Sequence, residues 1–132
     1  MDKSAYETVK RSPEAKEALH DLVSHGGTIA MCEMVILELL YSARNLSDYE
    51  RLRDSYQRLP WLETTSSALR RAVDVQHELA RKGLHRRPLP DLIIAATAEE
   101  HGATIVHYDK DFDLISGITG QPTRWIIPVG QV

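Results

Sequence analysis

Residues 91–113, DLIIAATAEEHGATIVHYDKDFD, constrain the fold more than any other stretch of the chain. The apolar run opened by Asp91 and closed by Gly102 predicts a helix from Asp91 to His101, with glycine in the usual terminating position. ATIVHY at 103–108 then predicts a short buried strand, bounded by the glycine before it and by the acid-rich DKDFD at its C-terminal end. A helix that feeds straight into an apolar strand is part of a βα alternation, so the rest of the chain should continue the pattern.

It does. Ser12-Pro13-Glu14 places a capping serine, a first-turn proline and an acid at the head of a helix that Gly26-Gly27 ends. TIAM at 28–31 is expected as a buried strand. The next helix carries Glu38 and runs to about Arg44. Ser47-Asp48-Tyr49-Glu50 has the spacing of a capping box and should open a helix reaching Leu59, where Pro60 stops it. WLET at 61–64 is expected as a second strand. Thr65-Ser66-Ser67 caps a long helix whose face is Leu69, Ala72, Val73, Gln76 and Leu79, closed by Gly83. RWIIP at 124–128 is expected as the last strand. The predicted class is α/β, with a mainly parallel sheet covered on both faces, and ligands in such folds bind outside the carboxyl ends of the strands.

A length of 132 residues fits one domain with one sizeable core. No apolar run approaches the roughly 20 residues of a membrane span, and MDKSAYETVKRSPEAK lacks the apolar core of a signal peptide, so a cytoplasmic location is the default expectation. The lone Cys32 is expected as a small buried residue. A net charge of −3 gives no whole-molecule attraction to nucleic acid, which leaves any such role to a local basic patch.

Candidate chemistry lies in the acids. Glu38 interrupts the apolar stretch MVILELLYS, and its helical neighbours Met34, Val35, Tyr41 and Ser42 include no base. A carboxylate withdrawn from water needs compensation, either from a distant Arg or Lys or from a bound cation. Asp109 and Asp111 directly follow the 103–108 strand, where they serve either as turn residues or as groups projecting over the sheet edge. Asp91 suits a helix cap or a first-turn acid favoured by the helix dipole. Asp2 taken alone is an exposed terminal acid. Gathered at one edge, these carboxylates would raise one another's pKa values unless a cation were present, and such oxygen-rich sites suit Mg²⁺ or Mn²⁺. The six histidines form no HExxH or zinc pattern, and no P-loop, GxSxG or GxGxxG motif occurs.

The N-terminal Asp-Lys-Ser-Ala, the segment EMVILELLYSAR and the segment PLPDLIIAATAEEHGATIVHYDKDFD, in that order and spacing, resemble PIN-domain proteins, specifically VapC-type ribonuclease toxins of bacterial toxin–antitoxin pairs. The resemblance implies a single PIN domain over residues 1–132, built as a three-layer α/β/α sandwich with acids from separate segments meeting around Mg²⁺ or Mn²⁺. By position, Asp2, Glu38, Asp91 and Asp109 correspond to the family's four acids, with Asp111 in a neighbouring acidic position and Ser4 as a hydroxyl that orients Asp2 or binds a metal-linked water. It further implies metal-assisted hydrolysis of tRNA or rRNA, a cognate VapB-type antitoxin and a homodimer. The family places a short apolar strand before the first acid, whereas here only Met1 precedes Asp2, so the first strand is expected to be truncated. Arg81, Lys82, Arg86 and Arg87 stand just before Asp91, either as RNA-contacting cations or as solvated residues at a helix end. The rival readings are a PIN-like module that binds antitoxin or RNA without cleaving, and a PIN nuclease of RNA maturation or DNA.

Overall fold

In the computed structural model of the chain, which describes residues 1–131, the strand β1 (Ile105–His107) divides the interior in two. It pairs in parallel with β2 (Thr123–Trp125), Ile105 opposite Thr123 and His107 opposite Trp125. Successive strand residues face opposite ways. Ile105 therefore joins a larger core with Met31, Val35, Leu79, Leu92 and Phe112. Val106 packs instead against a smaller one built from Ala5, Ala15, Ile126 and Ile127.

That division sets the layers. The helices α1 (Lys3–Arg11) and α2 (Pro13–Ser24) supply the smaller core. The larger core draws on α3 (Glu33–Tyr41), α5 (Ser66–Ala80), α6 (Leu89–Glu100) and α7 (Asp111–Thr119), with Leu52 and Tyr56 of α4 (Leu46–Gln57) packed against it. The architecture is α/β with parallel strands between helical layers. Helix α6 is its centre: Leu92, Ile94, Ala95, Ala96, Thr97 and Ala98 are all buried. The bidentate pair from Arg71 Nε and Nη2 to Glu99, at 2.8 and 3.2 Å, ties α5 to α6.

Local chemistry accounts for the helix ends. Ser12 Oγ accepts from the Ala15 amide at 3.2 Å, with Pro13 in the first turn, as the sequence predicts. Thr65 Oγ1 caps α5 through the Ala68 amide. Gly102, with φ of +65°, takes the left-handed conformation that ends α6 at little steric cost.

The strands need correction. Residues 28–31 and 61–64 do not form strands; their sole pairing among the described residues is one parallel bridge from Met31 to Trp61. Met31 donates to Pro60 O and accepts from Leu62 N, both at 2.8 Å, but Cys32 at once becomes the N-cap of α3, so the ladder cannot lengthen. The last strand is Thr123–Trp125 rather than 124–128. Three helical expectations also shift. Helix α4 is capped by Asn45, whose Oδ1 accepts from the Asp48 amide at 2.8 Å, two residues ahead of the expected Ser47. The buried face of α5 is Ala68, Ala72, Val75 and Leu79, leaving Leu69 and Val73 exposed. Helices α1 and α7 were not anticipated.

Beside β1 lies a cavity of about 380 Å³, lined by Met1, Ile29, Ala30, Met31, Ile105 and Val106 among others. The β1–β2 ladder engages the backbone of Ile105 and His107, so the backbone of Val106 faces the other way. There the Val106 carbonyl accepts from the Asp2 amide at 3.0 Å. Among the described residues no helix is long and apolar enough to cross a membrane.

Candidate active site

Asp91, Asp109 and Asp111 come together at the carboxyl end of β1, each offering a carboxylate oxygen within 4.8 Å of the others. Each is placed by a different local device. Asp91 is the third residue of α6, from which an acid ordinarily reaches back to the N-cap amide. Here the N-cap is Pro88, which has no N–H, and the helix has no side-chain cap. The carboxylate is left for other work. Asp91 is buried, and its Oδ2 has no hydrogen-bond partner. Burial first, then the charges of Asp109, Asp2, Glu38 and Asp111, push its carboxyl up to about 8.

Asp109 lies two residues beyond the end of β1. Its Oδ1 accepts from the Asp111 backbone amide at 3.0 Å, and its own amide donates to His107 Nδ1 at 3.1 Å. His107 is fully buried between Phe112 and Trp125, where burial lowers its pKa and favours the neutral ring. It is a packing and supporting residue. Asp113 is exposed and accepts from Trp125 Nε1 at 3.1 Å.

Asp2 is a buried acid rather than an exposed terminal one. Its Oδ1 caps α1 through the Ala5 amide at 3.2 Å and accepts from Ser4 Oγ at 2.7 Å. Ser4 Oγ in turn accepts from the Tyr108 amide at 2.8 Å, which fixes Asp2 to the chain just before Asp109. Burial raises the Asp2 pKa against these stabilising hydrogen bonds. Glu38 lies outside the three-acid cluster but within its field. Burial raises its pKa, Asp2, Glu7 and Asp109 add to the rise, and Lys3 opposes it. Among the described residues no base forms an ion pair with Glu38; Lys3 is paired instead to Glu7 at 3.7 Å.

The basic stretch divides. Arg81, Lys82 and Arg86 are exposed, and Arg81 lies 3.6 Å from Glu78. Arg87 turns inward, its Nη1 donating to Asp111 Oδ1 at 2.7 Å. Sequence reasoning did not foresee that pairing. Its only local sign is that Arg87 precedes Pro88, which limits the Arg87 backbone to extended conformations.

Hard carboxylate oxygens gathered in this way suit one small divalent ion, whose ligands stand at about 2.0–2.6 Å, although one oxygen of Asp111 is already engaged by Arg87. The unpartnered, buried Asp91 oxygen is the observation that favours such an ion, because a carboxylate oxygen left so would otherwise be uncompensated.

The PIN-domain family model matches residues 4–118. Ribonuclease VapC51 of Mycobacterium tuberculosis is 40% identical over 132 residues, covering 100% of this chain and 95% of that protein. Ribonuclease VapC18 of the same organism is 41% identical over 135 residues, covering 100% and 97%. In fold, the chain is similar to a chain of the VapBC2 structure from Rickettsia felis, solved with a DNA fragment from its promoter, at TM-score 0.74 and 22% identity over 93% and 94% of the two chains. A toxin–antitoxin complex from Klebsiella pneumoniae aligns at TM-score 0.70 and 21% identity, covering 97% of each chain. The chain belongs to the PIN-domain family and, within it, to the VapC-type ribonucleases.

Proposed function

We propose that this protein is a Mg²⁺- or Mn²⁺-dependent endoribonuclease that hydrolyses phosphodiester bonds of tRNA or rRNA and acts in the cytoplasm as the toxin of a toxin–antitoxin pair. The observation that carries the reading is the buried, unpartnered Asp91 oxygen inside a three-acid cluster. Asp91 and Asp109 would hold the ion, with Asp2 and Glu38 sharing its charge and Asp111 beside them. When bound, such an ion activates a water, orients the scissile phosphate and offsets charge developing on its oxygens.

The chain's own residues do the rest. Burial and the neighbouring carboxylates favour the protonated form of Asp91, and a bound cation would favour its deprotonated form instead. Ser4 holds Asp2, and the Asp111 amide holds Asp109, so two of the carboxylates arrive already oriented. One carboxylate accepts the proton of the attacking water. Arg81, Lys82 and Arg86, exposed before α6, would neutralise RNA phosphates that approach an otherwise acidic rim.

A VapB-type antitoxin and a homodimer complete the proposal. Support for the antitoxin comes from the fold neighbours, which were solved as VapBC or toxin–antitoxin complexes. Exposed Leu37, Tyr41 and Leu46 on α3 and α4 offer apolar surface to a partner. Expression in a bacterial host, with cleavage ends mapped across cellular RNA, tests the reading. New ends at a few tRNA or rRNA positions, with growth arrest relieved by a small co-encoded protein, are expected. Unchanged RNA would refute it.

A further inference from the structure

Arg87 holds one of the three clustered acids, and the geometry assigns it a positioning role: we propose that Arg87 keeps the Asp111 carboxylate out of the metal's direct ligand set. The inference rests on the metal-dependent reading above and decides which acids touch the ion.

Of the four cations before α6, Arg87 is the one drawn inward, its side chain only 23% exposed and that of Asp111 15% exposed. The 2.7 Å contact is a charge-assisted bond between partly buried groups, so neither partner is readily released to solvent. The chain after Arg87 reinforces the hold. Pro88 restricts the Arg87 backbone to extended conformations, and Pro88 itself is extended at φ −54° and ψ 129° before α6 begins. Arg87 Nε is buried without a hydrogen-bond partner, so the side chain is anchored at Nη1.

Charge decides what the pair does. Arg87 and Asp111 together form a neutral ion pair, so the pair adds no net charge to the site that Asp91 and Asp109 would offer a cation. Asp111 retains a separate duty that its side chain does not perform. Its backbone amide, not its carboxylate, donates to Asp109 Oδ1 at 3.0 Å and orients it. Substitution of the Asp111 side chain leaves that bond available.

The test is Mn²⁺ affinity by titration calorimetry on the full chain, with thermal melts confirming that each variant folds. Arg87→Gln removes a repelling charge and frees Asp111, so Mn²⁺ should bind about three- to tenfold more tightly. Asp111→Asn leaves Arg87 uncompensated and should weaken binding by a similar factor. The double variant removes a neutral pair and should return to within about threefold of wild type. Asp109→Asn, which removes a direct ligand, should lose at least about tenfold. A purely structural role for Arg87 would not produce opposite changes from the two halves of one pair. If the double variant falls as far as Asp109→Asn, Asp111 is a direct ligand and the inference is overturned. Failure of the wild type to bind Mn²⁺ would overturn both this inference and the metal-dependent reading.

Discussion

Asp91 is the residue at which folding and chemistry oppose each other. Its ordinary pKa of 3.8 rises to about 8 in the folded chain, first through burial and then through neighbouring carboxylates. An acid whose folded pKa is raised favours folding while it is protonated. Its stabilising effect is therefore full below pH 4 and declines as pH rises through about 8, because the unfolded chain gives up the proton first. Thermal melts in EDTA should show the wild type losing stability between pH 5 and pH 8. Asp91→Asn keeps the shape without the charge, so it should lose less over that range and be about 1–3 kcal/mol more stable than wild type at pH 8. An identical pH dependence in the two proteins would remove Asp91 as the source. Metal linkage runs the other way: deprotonation prepares the ligand, so Mn²⁺ should bind more tightly as pH rises toward 8.

At the scale of elements, the cavity beside β1 has room for a further extended segment. It is apolar, it is flanked by Ala30–Met31 and Ile105–Val106, and Asp2 has already begun to pair with Val106. Prefixing about six Val- and Ile-rich residues to Met1, the length of an ordinary strand, should raise the melting temperature by several degrees. A Gly/Ser prefix of equal length should not, and equal melts for the two would show that the cavity takes no strand. The same contrast explains what was legible beforehand. The Ser12 and Thr65 caps and the Gly102 stop are short-range chemistry, and they stand where the sequence places them. TIAM and WLET are apolar enough for strands, but a strand exists only where another chain segment pairs along it, and here the pairing is a single bridge from Met31 to Trp61. Helix α7 was hidden inside DKDFD because its acids look like a loop. Asp111 and Asp113 in fact occupy a first turn that favours negative charge, while Phe112 and Ile115 are buried one turn apart.

For the whole molecule, the decisive feature is that the start of α6 and the segment after β1 bring Asp91, Asp109 and Asp111 together. Asp91, Asp109 and Asp111 were legible as candidates because they flank a helix and a strand whose order fixes where they end. The Arg87–Asp111 pair was not, since it depends on how the segment before α6 lies against the start of α7. Asp2 looked like a solvated terminus and is buried, because Ser4 and the Ala5 amide hold it against β1. On the proposed reading, this site binds a divalent ion in order to cut RNA. The most direct measurement is cleavage of total RNA by the purified, antitoxin-free protein in Mn²⁺ and in EDTA, for wild type and Asp91→Asn. Cleavage by the wild type in Mn²⁺, none in EDTA, and a loss of about a hundredfold or more in the variant are expected. Equal cleavage by the two proteins, or cleavage that persists in EDTA, would contradict that reading.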